Sequence, residues 1–238
     1  MVKFERNFTI NCTDINRFNK IKPQALVNYL QQVAAAHSDS VGNGLYQLNE
    51  ADGIWFLLSW KIKIIDSLKW NENITVKTWS RKVDKFYAYR DYEVYKDEKI
   101  AAIASSRWCL LDIKSGSFKK PTEELMKIYN SSDVMVFDEE IGKIKEPEEM
   151  ELKYTYTILE RDIDVNSHVN NSYYIDFAMG ALENTVEVSE LEVMYKKECR
   201  VGEIIDIYLT KAAENENIIT IKNRENGQIS TLIRIITK

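Results

Sequence analysis

Residues 23–41 read PQALVNYLQQVAAAHSDSV, and their apolar side chains recur with the spacing of an α-helix. Leu26, Leu30 and Val33 fall on one face, and Pro23 suits the first turn of a helix. Apolar residues also fill neighbouring positions, so the helix is apolar over much of its circumference. We therefore predict one long helix that other elements surround.

The residues after this helix change to a period of two, which is typical of β-strands. Apolar side chains alternate with Ser and Lys over residues 54–64, and further strand segments follow at 74–81, 86–95 and 100–112. Short polar stretches separate these segments and suit the hairpins of an antiparallel sheet. The first half is thus predicted to be one helix followed by four strands.

The second half repeats this order of elements. We predict a strand over 152–159, a helix over 169–183, and strands over 191–199, 204–211, 218–223 and 229–236. Between the halves, residues 133–150 are acidic and contain Pro147, which is typical of a linker. The predicted domains are therefore 1–132 and 151–238, with the linker between them.

A short motif supports the repeat. The pattern Asp-x-Asn occurs at residues 14–16 and again at 164–166, each time ahead of a predicted helix. In this register Phe18 stands where the second half has His168. A sheet curled around one helix is the economical packing for each half, and that arrangement is the hotdog fold. The predicted fold class is α+β: a tandem (double) hotdog in which each antiparallel sheet wraps a long central helix.

The composition excludes several classes of function. The chain has 238 residues, 45% of them hydrophobic and 29% charged, as in an ordinary globular protein. A formal net charge of −5 argues against nucleic acid as a partner, and no apolar run approaches a membrane span. Glycine-rich phosphate loops, the HExxH pattern and CxxC pairs are missing, so we predict neither a cofactor nor a metal.

The cysteines and the N-terminus bear on the compartment. Cys12, Cys109 and Cys199 are odd in number and form no close pair, which indicates reduced thiols. The first residues, MVKFERNFTI, carry scattered charges and no apolar segment, so they match neither a signal peptide nor a transit peptide. We expect a cytoplasmic protein.

The segment RDIDVNSHVNNSYY, residues 161–174, carries the side chains best suited to catalysis. It places Asp164, Asn166 and His168 immediately before the second predicted helix. A helix start offers unpaired N–H groups and partial positive charge, which suit the oxyanion of acyl transfer. Asp and Asn before a helix are more commonly caps, but a cap requires no imidazole. His37, at the end of the first helix, is interpreted as structural.

The pattern DxNxHVNNxxY, present at residues 164–174, resembles the active-site segment of hotdog thioesterases. The sequence YKKEC, residues 195–199, is similar to the Glu-Cys segment of plant and bacterial acyl-ACP thioesterases. Motifs of the first half, such as YLQQVA at 29–34, stand in a matching order, so the resemblance covers nearly the whole chain. Because no transit peptide is recognised, the chain resembles a bacterial form.

This resemblance implies hydrolysis of the thioester between a fatty acyl chain and the phosphopantetheine arm of acyl carrier protein (ACP). The products would be free fatty acid and holo-ACP, and fatty acid synthesis would end there. The implied catalytic residues are Asp164, Asn166, His168 and Glu198, with Asn170 as a secondary residue. Asp164 or Glu198 would deprotonate water, and His168 with the helix-start N–H groups would bind the carbonyl oxygen. Asn166 would hold the water or the imidazole.

Cys199 suggests a rival scheme in which its thiolate attacks the substrate and His168 acts as base. Two arguments favour Glu198 instead. A neighbouring carboxylate raises the pKa of a thiol, and adjacent residues of a strand face opposite sides. Cys199 is therefore interpreted as a packing residue or a secondary site residue.

The first half carries no histidine at the matching position and is predicted to hold the acyl chain without hydrolysing it. Candidate walls of an acyl tunnel are the apolar residues Trp55, Phe56, Leu58, Trp60 and Trp79. Carrier proteins are acidic, so basic clusters are the candidate docking residues. These are Arg81, Lys82 and Lys85 between two strands, and Lys196, Lys197 and Arg200 beside the proposed site. We predict a monomer or homodimer that contacts neither nucleic acid nor a membrane.

Three alternatives share these sequence features. An acyl-CoA thioesterase would use the same residues on a different carrier. A hotdog hydratase would also use an acidic residue and a histidine near a helix start, but it would not need Glu198. A non-catalytic module would bind acyl thioesters in the same tunnel without cleaving them.

Overall fold

The structure is a computed structural model that describes residues 3–44, 53–81, 83, 85–112, 114–182 and 186–238. It divides into two compact units, Met1–Ile141 and Gly142–Lys238. The division falls inside the segment predicted to be a linker, and residues 133–141 belong to the first unit. There the Val136 N–H donates to Asp91 over 3.0 Å, and Glu140 pairs with Arg81.

The first unit combines one long helix with an antiparallel sheet. Its elements are β1 (Phe4–Thr9), α1 (Pro23–Ser40), β2 (Gly53–Ile64), β3 (Asn73–Ser80), β4 (Tyr87–Lys96), β5 (Lys99–Asp112), β6 (Phe118–Lys119) and α2 (Glu123–Ile128). The strands lie in the order β1-β3-β4-β5-β2, and β6 pairs with β5. Helix α1 packs against β1 and β3 and buries Leu26, Leu30 and Val33, as its sequence period predicts.

The second unit has the same connectivity. Its elements are β7 (Glu151–Thr157), α3 (Asn171–Gly180), β8 (Val188–Tyr195), β9 (Ile204–Ala213), β10 (Glu216–Asn223) and β11 (Ile229–Thr237). The strands lie in the order β8-β11-β10-β9-β7, and α3 packs against β10 and β11. Each unit therefore runs strand, helix, four strands, and β6 and α2 follow in the first unit. In each unit the first strand lies beside the third and the second beside the fifth. The α+β fold with one central helix and an antiparallel sheet in each unit confirms the predicted fold class.

The differences from the sequence prediction include one missed strand and two shifted boundaries near the site. Strand β1 was not predicted, because its residues FERNFT are mostly exposed and show no alternation of apolar and polar side chains. The second helix begins at Asn171, after the turn that carries His168. The predicted strand 191–199 ends at Tyr195, since the N–H groups of Lys196 and Lys197 both turn to the Ser230 carbonyl.

The register of the internal repeat predicted from Asp-x-Asn is wrong by two residues. Asn16 N–H donates to the Lys20 carbonyl over 2.8 Å, and Asp164 N–H donates to the His168 carbonyl over 2.8 Å. The turns match further, because Asn19 and Ser167 both adopt positive φ angles, 57° and 63°. Lys20, not Phe18, therefore occupies the position of His168.

None of the helices within the described ranges is long and apolar enough to cross a lipid bilayer.

Candidate active site

Two loops of the second unit bring an imidazole and a carboxylate together. His168 lies in the turn before α3, and Glu198 lies in the connection between β8 and β9. His168 Nε2 is 3.0 Å from Glu198 Oε2, and their side chains are 24% and 30% exposed. A carboxylate is an acceptor only, so Nε2 carries the proton in this contact. The pair is partly shielded from water yet open to a substrate.

The turn that carries His168 is held by the backbone and by Asp164. Asp164 N–H donates to the His168 carbonyl, and Ser167 N–H donates to the Asp164 carbonyl over 3.0 Å. The Asp164 carboxylate accepts from the Asn166 N–H over 2.8 Å. Asp164 thus closes the turn, while the Asn166 carboxamide is exposed at its tip. The structure brings Glu198 to His168 but gives no direct contact from either Asp164 or Asn166 to the imidazole.

The start of α3 is capped by Asn170. Its side-chain oxygen accepts from the N–H and from the hydroxyl of Ser172, each over 3.0 Å. Asn170 therefore has the capping role that Asn most often has before a helix. The next N–H, that of Asn171, meets no acceptor within the described chain. It adds a free donor near His168, at the positive end of the helix.

The Glu198 loop is tied to the His168 turn through the neighbouring residues. Val169 N–H donates to the Cys199 carbonyl over 3.0 Å, and Cys199 N–H donates to the Tyr174 hydroxyl over 2.9 Å. The two bonds link Cys199, the residue after Glu198, to Val169 and Tyr174, which follow His168 in the chain. They fix the separation of the two side chains.

The Cys199 side chain points away from this pair. The residue is 1% exposed, and its Sγ lies 2.6 Å from the Ser230 hydroxyl. Burial raises the pKa of the thiol, so the nucleophilic thiolate is disfavoured. The diverging side chains support the interpretation of Cys199 as a packing residue, although the two residues lie beyond the end of β8 and not in a strand.

The equivalent positions in the first unit carry neither an imidazole nor a carboxylate. Ile21 N–H donates to the Leu68 carbonyl over 2.8 Å, as Val169 N–H does to Cys199. Lys20 therefore corresponds to His168, and Ser67, the residue before Leu68, corresponds to Glu198. A lysine and a serine do not reproduce an imidazole–carboxylate pair, and the absence of hydrolysis in the first unit stays a prediction.

His37 has the structural role predicted for it. Its ring is buried against Phe4 and Tyr129, and its Nδ1 accepts from Arg90 over 2.8 Å. Burial, together with the charge of Arg90, lowers the pKa of His37 to about 4. The imidazole is therefore neutral at physiological pH.

The candidate tunnel residues occupy two kinds of environment. Trp60 is fully buried against Tyr92, with ring centroids 5.3 Å apart. Trp79 is also buried, and its indole N–H donates to the Val134 carbonyl over 2.9 Å. Trp55, Phe56 and Leu58 are partly exposed on β2. The first two tryptophans belong to the core of the first unit, and the role of all five as tunnel walls stays a prediction.

The structure contradicts the prediction that Arg81 is a docking residue. Its side chain is 6% exposed, and it makes two bonds to Glu140 and approaches the buried Asp91. A buried, paired guanidinium offers no charge to a partner, so Arg81 is a structural residue. Lys82 lies outside the described residues. The remaining candidates are exposed: Lys85, Lys196, Lys197 and Arg200.

Sequence reasoning missed two residues that contact the Glu198 loop, namely Tyr174 and Ser230. Tyr174 could have been noticed as the last residue of the DxNxHVNNxxY pattern. Ser230 carries no signal, since it lies in β11, far along the chain from Glu198. In the described part of the chain, no three His, Cys, Asp or Glu side chains lie close enough together to hold a metal ion.

The chain thus consists of two hotdog units, and in the second a histidine of the turn before the helix contacts a carboxylate of the loop between β8 and β9. The model of the acyl-ACP thioesterase N-terminal domain matches residues 1–129, and that of the C-terminal domain matches residues 143–237. The chain therefore belongs to the acyl-ACP thioesterase family, as its motifs predict.

Individual relatives are distant in sequence. The chloroplastic oleoyl-acyl carrier protein thioesterase of Coriandrum sativum is 20% identical over 95% of this chain and 67% of its own length. The chloroplastic oleoyl-acyl carrier protein thioesterase 1 of Arabidopsis thaliana is 22% identical over 90% of this chain and 65% of its own length. The chain thus spans about two thirds of the length of these plant relatives.

Solved structures share the fold over almost the whole chain. An acyl-ACP thioesterase from Bacteroides thetaiotaomicron gives a TM-score of 0.86 at 21% identity, covering 98% of this chain and 97% of its own. The 12:0-ACP thioesterase from Umbellularia californica gives a TM-score of 0.88 at 19% identity, covering 99% and 97%. These likenesses confirm the tandem hotdog fold.

Proposed function

We propose that this protein hydrolyses fatty acyl-ACP thioesters to free fatty acid and holo-ACP, and so ends fatty acid synthesis. The observation that carries the proposal is the 3.0 Å contact of His168 with Glu198 in the second unit of a chain of this family. The second unit is then the catalytic one. The first unit, with Lys20 and Ser67 in the matching places, holds the acyl chain.

Glu198 is the general base of the proposed mechanism. Its Oε2 contacts His168, which leaves Oε1 to accept a proton from the attacking water. The resulting C–O bond places negative charge on the thioester oxygen, near the free N–H of Asn171 at the helix start. When the C–S bond breaks, Glu198 gives the proton taken from water to the departing phosphopantetheine sulfur, while the Nε2–H of His168 keeps its bond to Glu198 Oε2. The exposed carboxamide of Asn166 is available to hold the water.

An acidic carrier protein needs basic groups close to this pair. Lys196, Lys197 and Arg200 are exposed and flank Glu198 in the chain, so they are the best placed of the predicted docking residues. We also propose a reducing compartment such as the bacterial cytoplasm, because the cysteines Cys12, Cys109 and Cys199 are all free.

The preference for ACP over coenzyme A is tested with the same acyl group attached to each carrier. We expect kcat/KM to be higher for the acyl-ACP than for the same acyl group on coenzyme A, because only ACP meets the basic residues beside the site. Mass spectrometry of the acyl-ACP before and after incubation measures thioester cleavage directly, with Glu198→Gln as the control of strongly reduced activity. A preference for coenzyme A contradicts the proposed carrier, and an intact thioester contradicts hydrolysis altogether.

Cys199 provides a separate prediction about the nucleophile. Cys199→Ala is expected to lower kcat by less than about 10-fold, since the thiol acts by packing and hydrogen bonding and not by attack. The variant should release the same fatty acids as the wild type in a product assay. Loss of all turnover in Cys199→Ala, with His168→Ala less affected, supports the thiolate scheme instead.

A further inference from the structure

Three buried polar side chains lie behind the Glu198 loop, and we name Tyr174, Cys199 and Ser230 the polar trio. They are 2%, 1% and 1% exposed, so their polar atoms contact protein and not solvent. The Ser230 hydroxyl donates to the Lys197 carbonyl over 2.9 Å, which leaves the Cys199 thiol as the donor toward Ser230 Oγ. Tyr174 accepts the Cys199 N–H.

These contacts hold the two residues that precede and follow Glu198 in the sequence. The carbonyl of Lys197, just before Glu198, is bonded to Ser230, and the N–H of Cys199, just after it, is bonded to Tyr174. Tyr174 is the fourth residue of α3, whose start follows directly on the His168 turn. The tyrosine thus links the helix beside His168 to the peptide beside Glu198.

The first unit shows what the fold alone requires at these positions. Ile65 and Asp66 donate their N–H groups to the Ala101 carbonyl, as Lys196 and Lys197 do to Ser230. Ala101 therefore corresponds to Ser230. The other two positions follow from the matched turns and helix starts: Leu68 corresponds to Cys199, and Leu26, the fourth residue of α1, corresponds to Tyr174.

The matching residues of the first unit are apolar and equally buried. Leu26, Leu68 and Ala101 are 1%, 0% and 1% exposed, and the backbone bonds around them are the same as in the second unit. The same backbone bonds therefore form without a polar side chain at any of these three positions. Burying three polar groups is less favourable than burying apolar ones unless their bonds serve a purpose, and the polar trio occurs in the unit that contains Glu198 and His168.

We infer that Tyr174, Cys199 and Ser230 are positioning residues that hold the Glu198 carboxylate in contact with His168. This inference rests on the proposed function only for its kinetic consequence. A displacement of ~1 Å between reacting groups can lower a rate by about 100-fold, so loosening the Glu198 loop is enough to impair turnover.

Tyr174→Phe removes one hydroxyl and leaves the packing of the ring. We expect kcat on acyl-ACP to fall by about 10- to 100-fold while KM changes by less than about 2-fold, because the acyl-binding unit is untouched. The matched control is Tyr92→Phe, which removes a buried tyrosine hydroxyl 3.3 Å from Ser106 in the first unit. Tyr92→Phe should leave kcat unchanged, and melting temperatures of both variants measure any general loss of stability.

A double-mutant cycle separates positioning from a merely structural role. In a Glu198→Gln background, Tyr174→Phe should lower the remaining kcat by less than about 2-fold, because its effect passes through the carboxylate. An equal loss in both backgrounds overturns the inference. Ser230→Ala should repeat the pattern if Tyr174→Phe does not fold. Cys199→Ser, which keeps a donor toward Ser230, should retain more activity than Cys199→Ala.

Nuclear magnetic resonance provides a readout that does not depend on turnover. The chain has 2 histidines, so ¹⁵N-labelled rings give two sets of signals, which His168→Ala assigns. We expect Tyr174→Phe to shift the ring signals of His168 and to leave those of His37 in place. Unchanged His168 signals overturn the inference. A wild type that cleaves no acyl-ACP contradicts the proposed function, while the ring signals still test positioning.

Discussion

His168→Ala lowers kcat on acyl-ACP by about 10²–10⁴-fold, the range associated with losing a general acid–base group. The substitution removes the N–H that orients the Glu198 carboxylate, the group that moves the proton in the proposed mechanism. Glu198→Gln is expected to cause a loss of the same order, because the amide cannot accept the proton of water. Both losses appear in kcat with little change in KM, measured as fatty acid released from purified acyl-ACP.

The first unit supplies the matched control for this prediction. Lys20→Ala alters the residue that occupies the position of His168 in the other copy of the turn, and it should leave kcat within about 2-fold of the wild type. Asp164→Ala should also impair turnover, because it opens the turn that holds His168. If His168→Ala retains more than about a tenth of the wild-type kcat, the imidazole has no part in the chemistry.

Arg81→Met lowers the free energy of unfolding by about 3–5 kcal/mol, the cost of leaving a buried charge without its partner. Arg81 Nε is 3.3 Å from the carboxylate of Asp91, which is 1% exposed. Chemical denaturation measures the loss, and the kcat/KM of the folded fraction for acyl-ACP should be unchanged. A fall in the affinity for ACP without a fall in stability restores Arg81 as a docking residue.

The size of this effect should depend on pH. Burial raises the pKa of Asp91, and the charge of Arg81 opposes that rise. Removing Arg81 raises the pKa further above its unfolded value, so the carboxyl stays protonated in the folded state at low pH. The stability cost of Arg81→Met therefore grows as the pH rises.

The control variant for Arg81 is Glu140→Gln. The Glu140 side chain is 51% exposed, so its ion pair with Arg81 contributes less than about 1 kcal/mol after solvent screening. Glu140→Gln should therefore unfold close to the wild type, whereas Arg81→Met should not. Equal losses in the two variants contradict the view that the buried Asp91 is the important partner.

The sequence predicts the elements whose side chains face both a core and solvent. Helix α1 and strand β2 were predicted because burial imposes a period on their apolar residues. Strand β1 was missed because an edge strand exposed along most of its length has no such period. The repeat was recognised from its element order, but its register is set by backbone bonds and by positive φ angles at Asn19 and Ser167.

The residues of the candidate site likewise divide into those that the sequence predicts and those that it does not. His168 and Glu198 could be named from the DxNxHVNNxxY and Glu-Cys motifs, and the fold brings them together as the motifs imply. The misassigned Arg81 shows the limit of charge patterns, because nothing in the sequence links it to Asp91 or Glu140. Ser230 could not be predicted, since only strand pairing places it behind the Glu198 loop.

The turn before each helix closes through its main chain and through the side chain of its first residue, Asn16 or Asp164. The side chain at the Lys20 and His168 position takes no part in that closure and is free to vary without disturbing the chain path. The functional group at this position can therefore change during evolution without a change in the fold. After duplication, one copy of the turn could therefore gain or lose its imidazole while the unit that contains it keeps its fold.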